Sequence, residues 1–285
     1  MSFARDVLKP ILDDMSSGLG SLFGLHLEDI LKSPEEFSPA SGDLMHIVSA
    51  GAIAPAAATI LVVLFMLELS RLSVRTDGDG ELFTKLAFFT LIKFVMLKIV
   101  FDNSPILMGG IYAVFAEMAQ FANQSTMHFV TTDASTMEGF LDAVDRMDWL
   151  AQTVLIIIML LAWLVNKGAV IAAFALIVVR FVKLFIYYAF APVAVAFFAS
   201  EHTRSFGIGF LRNFGAVVLQ ALVMVLAFAV YGAATSGWGA QAFSSVDDNA
   251  IVAALSIGSF YIFLGVVLAM IVLGSGRIAN ELLGN

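Results

Sequence analysis

Long, nearly uninterrupted apolar runs constrain this chain more than any other feature of its sequence. They recur from about His46 to the C-terminus, and single charged residues are their main interruptions. Of the 285 residues, 60% are hydrophobic and 13% are charged, whereas a soluble domain carries about 25% charged residues. Lipid tolerates such apolar surface, and helices satisfy their backbone hydrogen bonds internally. The sequence therefore predicts an all-α, polytopic membrane helical bundle with about five to six transmembrane or re-entrant segments, plus amphipathic surface helices.

Residues 1–45 are predicted to form an amphipathic helical segment outside the membrane. Apolar residues recur at every fourth position from Phe3 to Met15, and charged residues occupy the opposite face. Ser33 to Glu36 has the pattern of a capping box with proline at the first helical position, and Ser135 to Glu138 has a second capping-box pattern. Two roles stay open for 1–45: a short cap on the bundle, or a helix that docks on a membrane surface or a partner.

Residues 46–101 are predicted to hold the first two transmembrane helices. Small residues at four-residue spacing let neighbouring helices approach closely in lipid. Pro55 is predicted to be a hinge in the first of these helices, because proline cannot donate a helical hydrogen bond. The small residues predicted to pack against another helix or another copy of the chain are Ala50, Ala54, Ala58, Gly265 and Ala269.

Residues 102–149 are predicted to be an extracytoplasmic connection with surface helices, and 150–285 a C-terminal transmembrane bundle. The short apolar run 105–122 is expected to lie on the surface or to be re-entrant, because glycines and polar residues interrupt it. Asn166 to Gly168 is expected to break the first run of the bundle. Pro192 is expected to act as a hinge in the second run.

Three basic residues, Lys93, Arg180 and Lys183, lie inside otherwise apolar runs. A charge in the membrane core costs at least roughly 2.5 kcal/mol unless it is paired or solvated. For Lys93, a structural ion pair or lipid contact and a conduction role both stay open. Arg180 and Lys183 are three residues apart, which predicts that they share one face of a helix. They are expected to pair in the bundle or reach an interface, or to contact another subunit or anionic lipid head groups.

The positions of the basic residues predict an orientation that conflicts with the number of apolar stretches. Basic loops face the cytoplasm, which places 71–85 inside and 102–148 outside, with the N-terminus outside and the C-terminus inside. Arg204 then lies inside, so the chain must cross the membrane an odd number of times between Trp149 and Arg204. The apolar stretch of about 50 residues between them suits two helices instead. Three solutions stay open: a re-entrant segment at 169–199, which we prefer, a crossing by 105–122, or an outside Arg204.

The sequence predicts no catalytic residue, no cofactor-binding residue and no metal ligand. It has no cysteine, and its four histidines lack the spacing of metal ligands. It shows neither a nucleophile-elbow nor a phosphate-binding-loop pattern. The formal net charge of −8 argues against direct nucleic-acid binding over the whole surface. A structural or conduit subunit of a larger machine is therefore favoured over an enzyme.

A family pattern can be followed along the C-terminal half of the chain. It begins with an arginine in a membrane helix, here Val179-Arg180. A small-Pro-apolar step follows within Tyr187-Tyr188-Ala189-Phe190-Ala191-Pro192-Val193-Ala194, and then a polar turn to Thr203 and another long span. This order resembles the TrbL-type polytopic inner-membrane subunit of bacterial type IV secretion (conjugation) systems. The resemblance covers 150–285 in pattern and the rest of the chain in layout.

The resemblance implies a non-catalytic subunit of the bacterial inner membrane that supports pilus assembly and the translocation of DNA or protein. It implies a homo-oligomeric ring, for which a pentamer is one arrangement. The implied partners are membrane lipids, other inner-membrane subunits of the secretion system, its ATPases, and pilin or stalk subunits. Residues 1–45 would then face the periplasm and the C-terminus the cytoplasm.

Two other functions stay open. A self-contained secondary transporter or channel for a small solute or ion would use Lys93, Glu117 and Arg180 as ligands near the membrane midplane, although the sequence shows no internal repeat. A pore-forming or immunity-type membrane protein is also compatible with the sequence. A transporter is expected to bind its solute as a monomer or dimer, whereas a secretion subunit is expected to form a ring or to co-purify with envelope proteins.

Overall fold

Helices make up most of the described chain. The computed structural model describes residues 3–16, 21–22, 25–26, 32–76, 79–126, 141–142, 144–244 and 250–284. The N-terminal elements are α1 (Phe3–Ser16), an antiparallel pair of strands β1 (Ser21–Leu22) and β2 (Leu25–His26), α2 (Pro34–Phe37) and α3 (Pro39–Val48). A π-helical turn (Ser49–Ile53) leads into α4 (Ala54–Arg75), α5 (Gly80–Asp102) and α6 (Ser104–Thr126). The last elements are α7 (Trp149–Ala196), a 3-10 turn (Phe197–Ala199), α8 (Arg204–Ser244) and α9 (Ala250–Leu282).

Five helices of the described part are long and apolar enough to cross a membrane, which confirms the predicted polytopic helical membrane protein. They are Pro39–Arg75, Ser104–Ala122, Trp149–Ala199, Arg204–Val230 and Gly258–Leu282. The predicted second span, α5, differs from these five because Lys85, Lys93 and Lys98 spread charge along most of its length. The predicted capping box at Ser135 to Glu138 lies outside the described residues.

The expected break at Asn166 to Gly168 is wrong, because α7 is one continuous helix of 48 residues. Pro192 lies inside this helix, and its role as a hinge stays a prediction. Ser49 Oγ donates a hydrogen bond to the carbonyl of Ala189 at 3.1 Å. A hydroxyl from the π-helical turn therefore bonds α7 in the turn that precedes Pro192. At 1.5 Å per residue, α7 is about 72 Å long. Since the hydrocarbon core is about 30 Å thick, part of α7 lies outside it.

The 105–122 run, expected to lie on the surface or to be re-entrant, is part of a continuous helix that is long and apolar enough to cross a membrane. Helix α6 continues through Gly109 and Gly110 for 23 residues. Met108 and Tyr112 on either side of the glycine pair are buried, at 1% and 5% exposure. Packing of these two side chains stabilises the helix at the two glycines, which have low helix propensity.

Helix α1 belongs to a compact unit made of Met1–Leu31, Met118–Val178 and Ala221–Ile278. Its buried face consists of Ala4, Leu8 and Leu12, and it packs against Leu141, Val144, Leu155 and Met159. Apolar contact of this kind stabilises by roughly 25 cal/mol per Å² of area removed from water. In the structure α1 therefore packs on the first part of α7 through its own apolar face, and the two roles proposed for 1–45 stay predictions.

Both ends of α1 carry ionic contacts as well. Arg5 Nη1 lies 3.0 Å from Asp142 Oδ1 and 2.9 Å from Asp145 Oδ2. At the other end, Asp14 accepts hydrogen bonds from Trp163 Nε1 at 2.6 Å and from Lys167 Nζ at 2.8 Å. The Lys167 charge inside an apolar helix is thus neutralised by a carboxylate from α1, which explains why α7 is not broken there.

The Asp14 contact predicts a mild, pH-dependent loss of stability in the Asp14→Asn variant. Burial alone would raise the pKa of Asp14, but the hydrogen bonds from Lys167 and Trp163 outweigh it and lower that pKa. A lowered folded-state pKa stabilises the fold above the unfolded value and is lost as the pH falls through the folded value. Because Asp14 and Lys167 are partly exposed, we expect a loss of about 1 kcal/mol at pH 7. Thermal unfolding in detergent at pH 7 and pH 3 measures it.

The matched control is Asp6→Asn, which removes an exposed carboxylate from the same helix. That variant is expected to change the unfolding free energy by less than about 0.5 kcal/mol. A difference between Asp14→Asn and the parent that is as large at pH 3 as at pH 7 would contradict the ionic origin of the contact.

A second compact unit consists of Lys32–Glu117, Val179–Gln220 and Ala279–Asn285. Ala57 and Leu61 of α4 pack in its core with Phe101, Val195, Ala196 and Ala199. The rings of Phe65 and Phe94 stack at a centroid distance of 4.2 Å and join α4 to α5. Many large apolar side chains on the outer faces of α4 and α5 are exposed. On α4, which belongs to a candidate membrane span, such side chains are expected to face lipid.

Candidate functional site

The most deeply buried charged side chain of the described chain is that of Arg180 on α7. Only 1% of this residue is exposed. Its Nε donates a hydrogen bond to the carbonyl oxygen of Val217 on α8 at 3.1 Å. A backbone carbonyl inside a helix normally accepts from the amide four residues on. The Val217 carbonyl also accepts from a side chain of another helix. Arg180 therefore ties α7 to α8.

Tyr112 extends this contact to α6 and to the N-terminal side of the unit. Its side chain is hydrogen-bonded to Arg180, and its hydroxyl donates to the carbonyl oxygen of Lys32. The hydroxyl group can accept from the guanidinium and donate to the carbonyl at once. A single buried guanidinium thus links α6, α7, α8 and, through Tyr112, the segment that precedes α2. We call Arg180, Tyr112, Val217 and Lys32 the arginine cluster.

Aromatic rings cover the arginine cluster on one side. The Arg180 guanidinium lies 5.4 Å from the centre of the Phe181 ring, within the range of a cation–π contact. The Phe181 ring in turn stacks on Phe37 of α2, with centroids 3.8 Å apart and planes 9° from parallel. Helix α2 therefore packs directly against the residue that follows Arg180.

The predicted capping box positions α2 for this contact. Glu36 N donates to Ser33 Oγ at 3.2 Å, and Ser33 N donates to Glu36 Oε2 at 2.9 Å, so both halves of the box are formed. The backbone hydrogen bond from Ser33 holds the pKa of Glu36 below its ordinary value. The box fixes the first turn of a four-residue helix that is too short to be stable alone.

The arginine cluster is suited to holding helices rather than to acid–base chemistry. Its contacts are hydrogen bonds from a guanidinium and a phenol to backbone carbonyls and to each other. Arginine stays protonated under ordinary conditions and offers five donors in a fixed plane. Such a group stabilises one relative arrangement of several helices.

The structure separates Arg180 from Lys183, although the sequence predicted a shared face. Arg180 is buried, whereas Lys183 is exposed on α7. Residues three apart differ by about 60° around a helix axis, and the boundary between packed and open surface falls between them here. Lys93 is also exposed on α5. Its side chain has no ion pair among the described residues, and its role stays a prediction.

The packing role of Ala50, Ala54 and Ala58, with another helix or another copy of the chain, stays a prediction. Ala50 is exposed and Ala54 is half-buried, whereas Ala57 and Leu61 pack in the core and half-buried Ala58 packs against that core. The π-helical turn adds a residue to one turn and so rotates everything before it relative to α4. Pro55, the predicted hinge, stands in the first turn of α4 directly after this turn. Its missing amide and its ring are accommodated where the helix is widened.

Small residues of α9 do pack closely, as the geometry at Gly265 shows. A Cβ atom on Gly265 would lie 3.0 Å from Val165 Cγ1 of α7, and Ala269 is half-buried one turn later. Sequence reasoning missed Gly258, where a Cβ atom would come within 1.9 Å of Ile158 Cγ2. The two glycines are seven residues apart, the repeat at which helices keep one face in contact. That spacing is the signal that could have found Gly258.

A second polar cluster was also missed by sequence reasoning. It joins the end of α4 to the turn between α7 and α8. Arg71 Nη1 lies 2.6 Å from His202 Nδ1 and 3.3 Å from Ser200 Oγ, and Ser200 Oγ donates to Glu68 Oε2 at 3.2 Å. Glu68 and Arg71 lie about 130 residues before their partners, so no local pattern could reveal the contact.

Metal chemistry finds no support in the part of the chain that the structure describes. In the described ranges, no group of three or more His, Asp or Glu side chains is placed to hold a metal ion. His46 instead lies 3.2 Å from Glu35, and His202 contacts Arg71.

Comparison with known proteins gives one match. A family model described as "TrbL/VirB6 plasmid conjugal transfer like protein" matches residues 24–192, more than half of the chain. The match includes Arg180, Tyr112, Lys32 and the capping box. It confirms the family expected from the sequence, and it covers much of the part of the chain that resembled the family in layout alone. No curated protein and no solved structure matches the chain significantly.

Proposed function

Because this chain belongs to the TrbL/VirB6 plasmid conjugal transfer-like family, we propose that it is a non-catalytic inner-membrane subunit of a type IV secretion machine. In this role it supports pilus assembly and the passage of DNA or protein as part of a homo-oligomeric ring. The family match is the observation that carries the proposal. The arginine cluster supports it, because a buried arginine whose hydrogen bonds fix the arrangement of several helices suits a subunit with a structural role.

The geometry gives little support to the alternative of a small-solute transporter. Its three candidate ligands do not share an environment: Arg180 is buried, whereas Lys93 and Glu117 are exposed on α5 and α6. A transporter site needs such groups to converge near the membrane midplane.

Five crossings give an orientation that satisfies the basic-residue rule at every loop. With the N-terminus in the periplasm, the stretch 71–103 and the turn at Arg204 lie in the cytoplasm. The acidic 127–148 and the segment 236–250, which has no Lys or Arg, lie in the periplasm. The C-terminus is then cytoplasmic. The long α7 crosses once, and α6 crosses as well, which removes the conflict between Trp149 and Arg204.

Some contacts inside the second unit agree with this orientation, whereas the hydrogen bond from the Tyr112 hydroxyl to the Lys32 carbonyl joins a residue near the cytoplasmic start of α6 to the N-terminal segment placed in the periplasm. The end of α4 touches the α7–α8 turn through Arg71 and His202. Phe101 at the end of α5 shares a core with Ala199 beside the same turn. Near the C-terminus, Arg212 Nη1 donates to the carbonyl of Gly284 at 3.3 Å. In this orientation α5 begins and ends on the cytoplasmic side and does not cross.

Cysteine labelling tests the topology, and the absence of cysteine from the chain makes it direct. Asn103→Cys, placed between α5 and α6, is expected to stay unlabelled by a membrane-impermeant maleimide added to cells with a permeabilised outer membrane. Glu201→Cys is the cytoplasmic control and Asp148→Cys the periplasmic one, and all three positions are exposed. Labelling of Asn103→Cys to the level of Asp148→Cys would show that α5 crosses and that the orientation is wrong.

The secretion role is tested by deletion and by native size. Removing the gene from a conjugative host is expected to abolish plasmid transfer, and supplying it in trans to restore transfer. Purified in mild detergent, the chain is expected to run as a ring or to bring secretion ATPases or pilin subunits with it. We place Ala50, which is exposed at the π-helical turn, in the contact between copies. A monomer that binds a small solute, from a strain that still transfers plasmid, would support the transporter instead.

A further inference from the structure

A cavity of about 280 Å³ lies in the second unit, beside Tyr112 of the arginine cluster. Four parts of the chain line it: the capping-box segment, α3 with the π-helical turn, α6, and α7. Gly109 of α6 lines it too, and no atom lies within 4 Å of the position of a Cβ on that glycine. The arginine cluster does not explain this space, because the Arg180 side chain does not line it.

The lining of the cavity carries one acidic group and no lysine or arginine. The acidic group is Glu35, whose Oε1 lies 3.2 Å from Nε2 of His46, also at the lining. Three aromatic side chains, Tyr112, Phe185 and Tyr188, contribute to the same wall. Aromatic rings and a carboxylate together attract cations, and ammonium groups are bound in this way in aromatic cages. An anion, in contrast, would meet the Glu35 carboxylate and no lysine or arginine at the lining.

From this lining we propose that the cavity binds a primary or quaternary ammonium group. Its volume is just below the roughly 300–1,000 Å³ of pockets that hold whole small ligands, so it suits a head group or a small amine. Ser33 and Pro34 line it and precede the first membrane-crossing helix at Pro39. Lipid head groups lie at the ends of such helices. A phosphatidylethanolamine head group and a soluble amine are therefore the two sources of the same chemistry.

Native mass spectrometry of the purified chain, with defined lipids added, tests the proposal. We expect dioleoyl-phosphatidylethanolamine to be retained about tenfold more strongly than dioleoyl-phosphatidylglycerol, since one cation–carboxylate contact is worth about that much. Choline chloride is added as the soluble probe. Displacement of the lipid by choline shows that the ammonium group is what the cavity recognises. Choline binding without any preference between the lipids assigns the site to a soluble amine.

Two pairs of variants separate the cavity from general effects on the fold. Gly109→Leu fills the cavity and is expected to remove the preference. Gly110→Leu, an exposed neighbour with equally open space around it, is expected to keep it. Glu35→Gln is expected to weaken retention about tenfold. His46→Gln removes the imidazole that contacts Glu35 but leaves the carboxylate. This variant is expected to bind as the parent does.

The result that overturns the proposal is equal retention of the two lipids together with no binding of choline. Equal behaviour of Gly109→Leu and Gly110→Leu, with both variants folded by thermal unfolding, would overturn it as well. The measurement uses binding to the purified chain. Its outcome is therefore separate from the secretion role, which plasmid transfer tests.

Discussion

The Arg180→Ala variant is expected to unfold in mixed detergent micelles with about 3 kcal/mol less free energy than the parent. The substitution removes the donor to the Val217 carbonyl and the hydrogen bond with Tyr112, and it leaves a cavity where α6, α7 and α8 meet. Insertion into the membrane is expected to be unaffected, because α7 becomes more apolar without the charge. Assembly is therefore expected to weaken more than insertion. Denaturant titration measures the loss of unfolding free energy, and native gels measure the loss of assembly.

Lys183→Ala is the matched control for Arg180→Ala. It removes a charge from the same helix, three residues away, at an exposed position, and is expected to change the unfolding free energy by less than about 0.5 kcal/mol. Arg180→Met fills much of the space without the hydrogen bonds, so the part of the stability that it recovers is due to packing. An Arg180→Ala protein with the oligomer size and stability of the parent would show that the arginine cluster does not hold the helices.

The Gly258→Ala variant is expected to lose about 2 kcal/mol of unfolding free energy. Its single added carbon would lie 1.9 Å from Ile158 Cγ2 on α7. Isoleucine is branched at Cβ and has little rotamer freedom in a helix, so Ile158 cannot simply turn away. The two helices must separate instead, and their remaining contacts loosen. Thermal unfolding in detergent measures the loss.

Gly274→Ala serves as the control on the same helix, because no atom lies within 4 Å of its Cβ position. That change is expected to leave stability unchanged or raise it by about 0.5–1 kcal/mol, since alanine is the better helix former. Ile158→Ala combined with Gly258→Ala is expected to recover most of the loss. If Gly258→Ala and Gly274→Ala behave alike, the close approach of α7 and α9 is not what stabilises this unit.

The parts of the fold that depend on local pattern could be predicted from the sequence. The capping box of Ser33 and Glu36 needs only residues three apart, and the apolar face of α1 only residues four apart. The π-helical turn at Ser49–Ile53, which shifts the helical phase between Ala50 and Ala54, could not be predicted from residue spacing. The break expected at Lys167 failed because its charge is neutralised by Asp14, more than 150 residues earlier.

By itself, the sequence determined that this protein is a helical membrane protein. Its apolar content requires lipid around it, and in a bilayer a helix makes its backbone hydrogen bonds internally. It also singled out Arg180 as a charge that must find a partner. Only the tertiary structure decided which partner, Val217 and Tyr112 rather than a lipid, and that one long helix replaces two short ones. The physical reason is that the partners of a charge inside an apolar helix, Asp14 for Lys167 and Val217 for Arg180, lie far away in the chain, which no local pattern encodes.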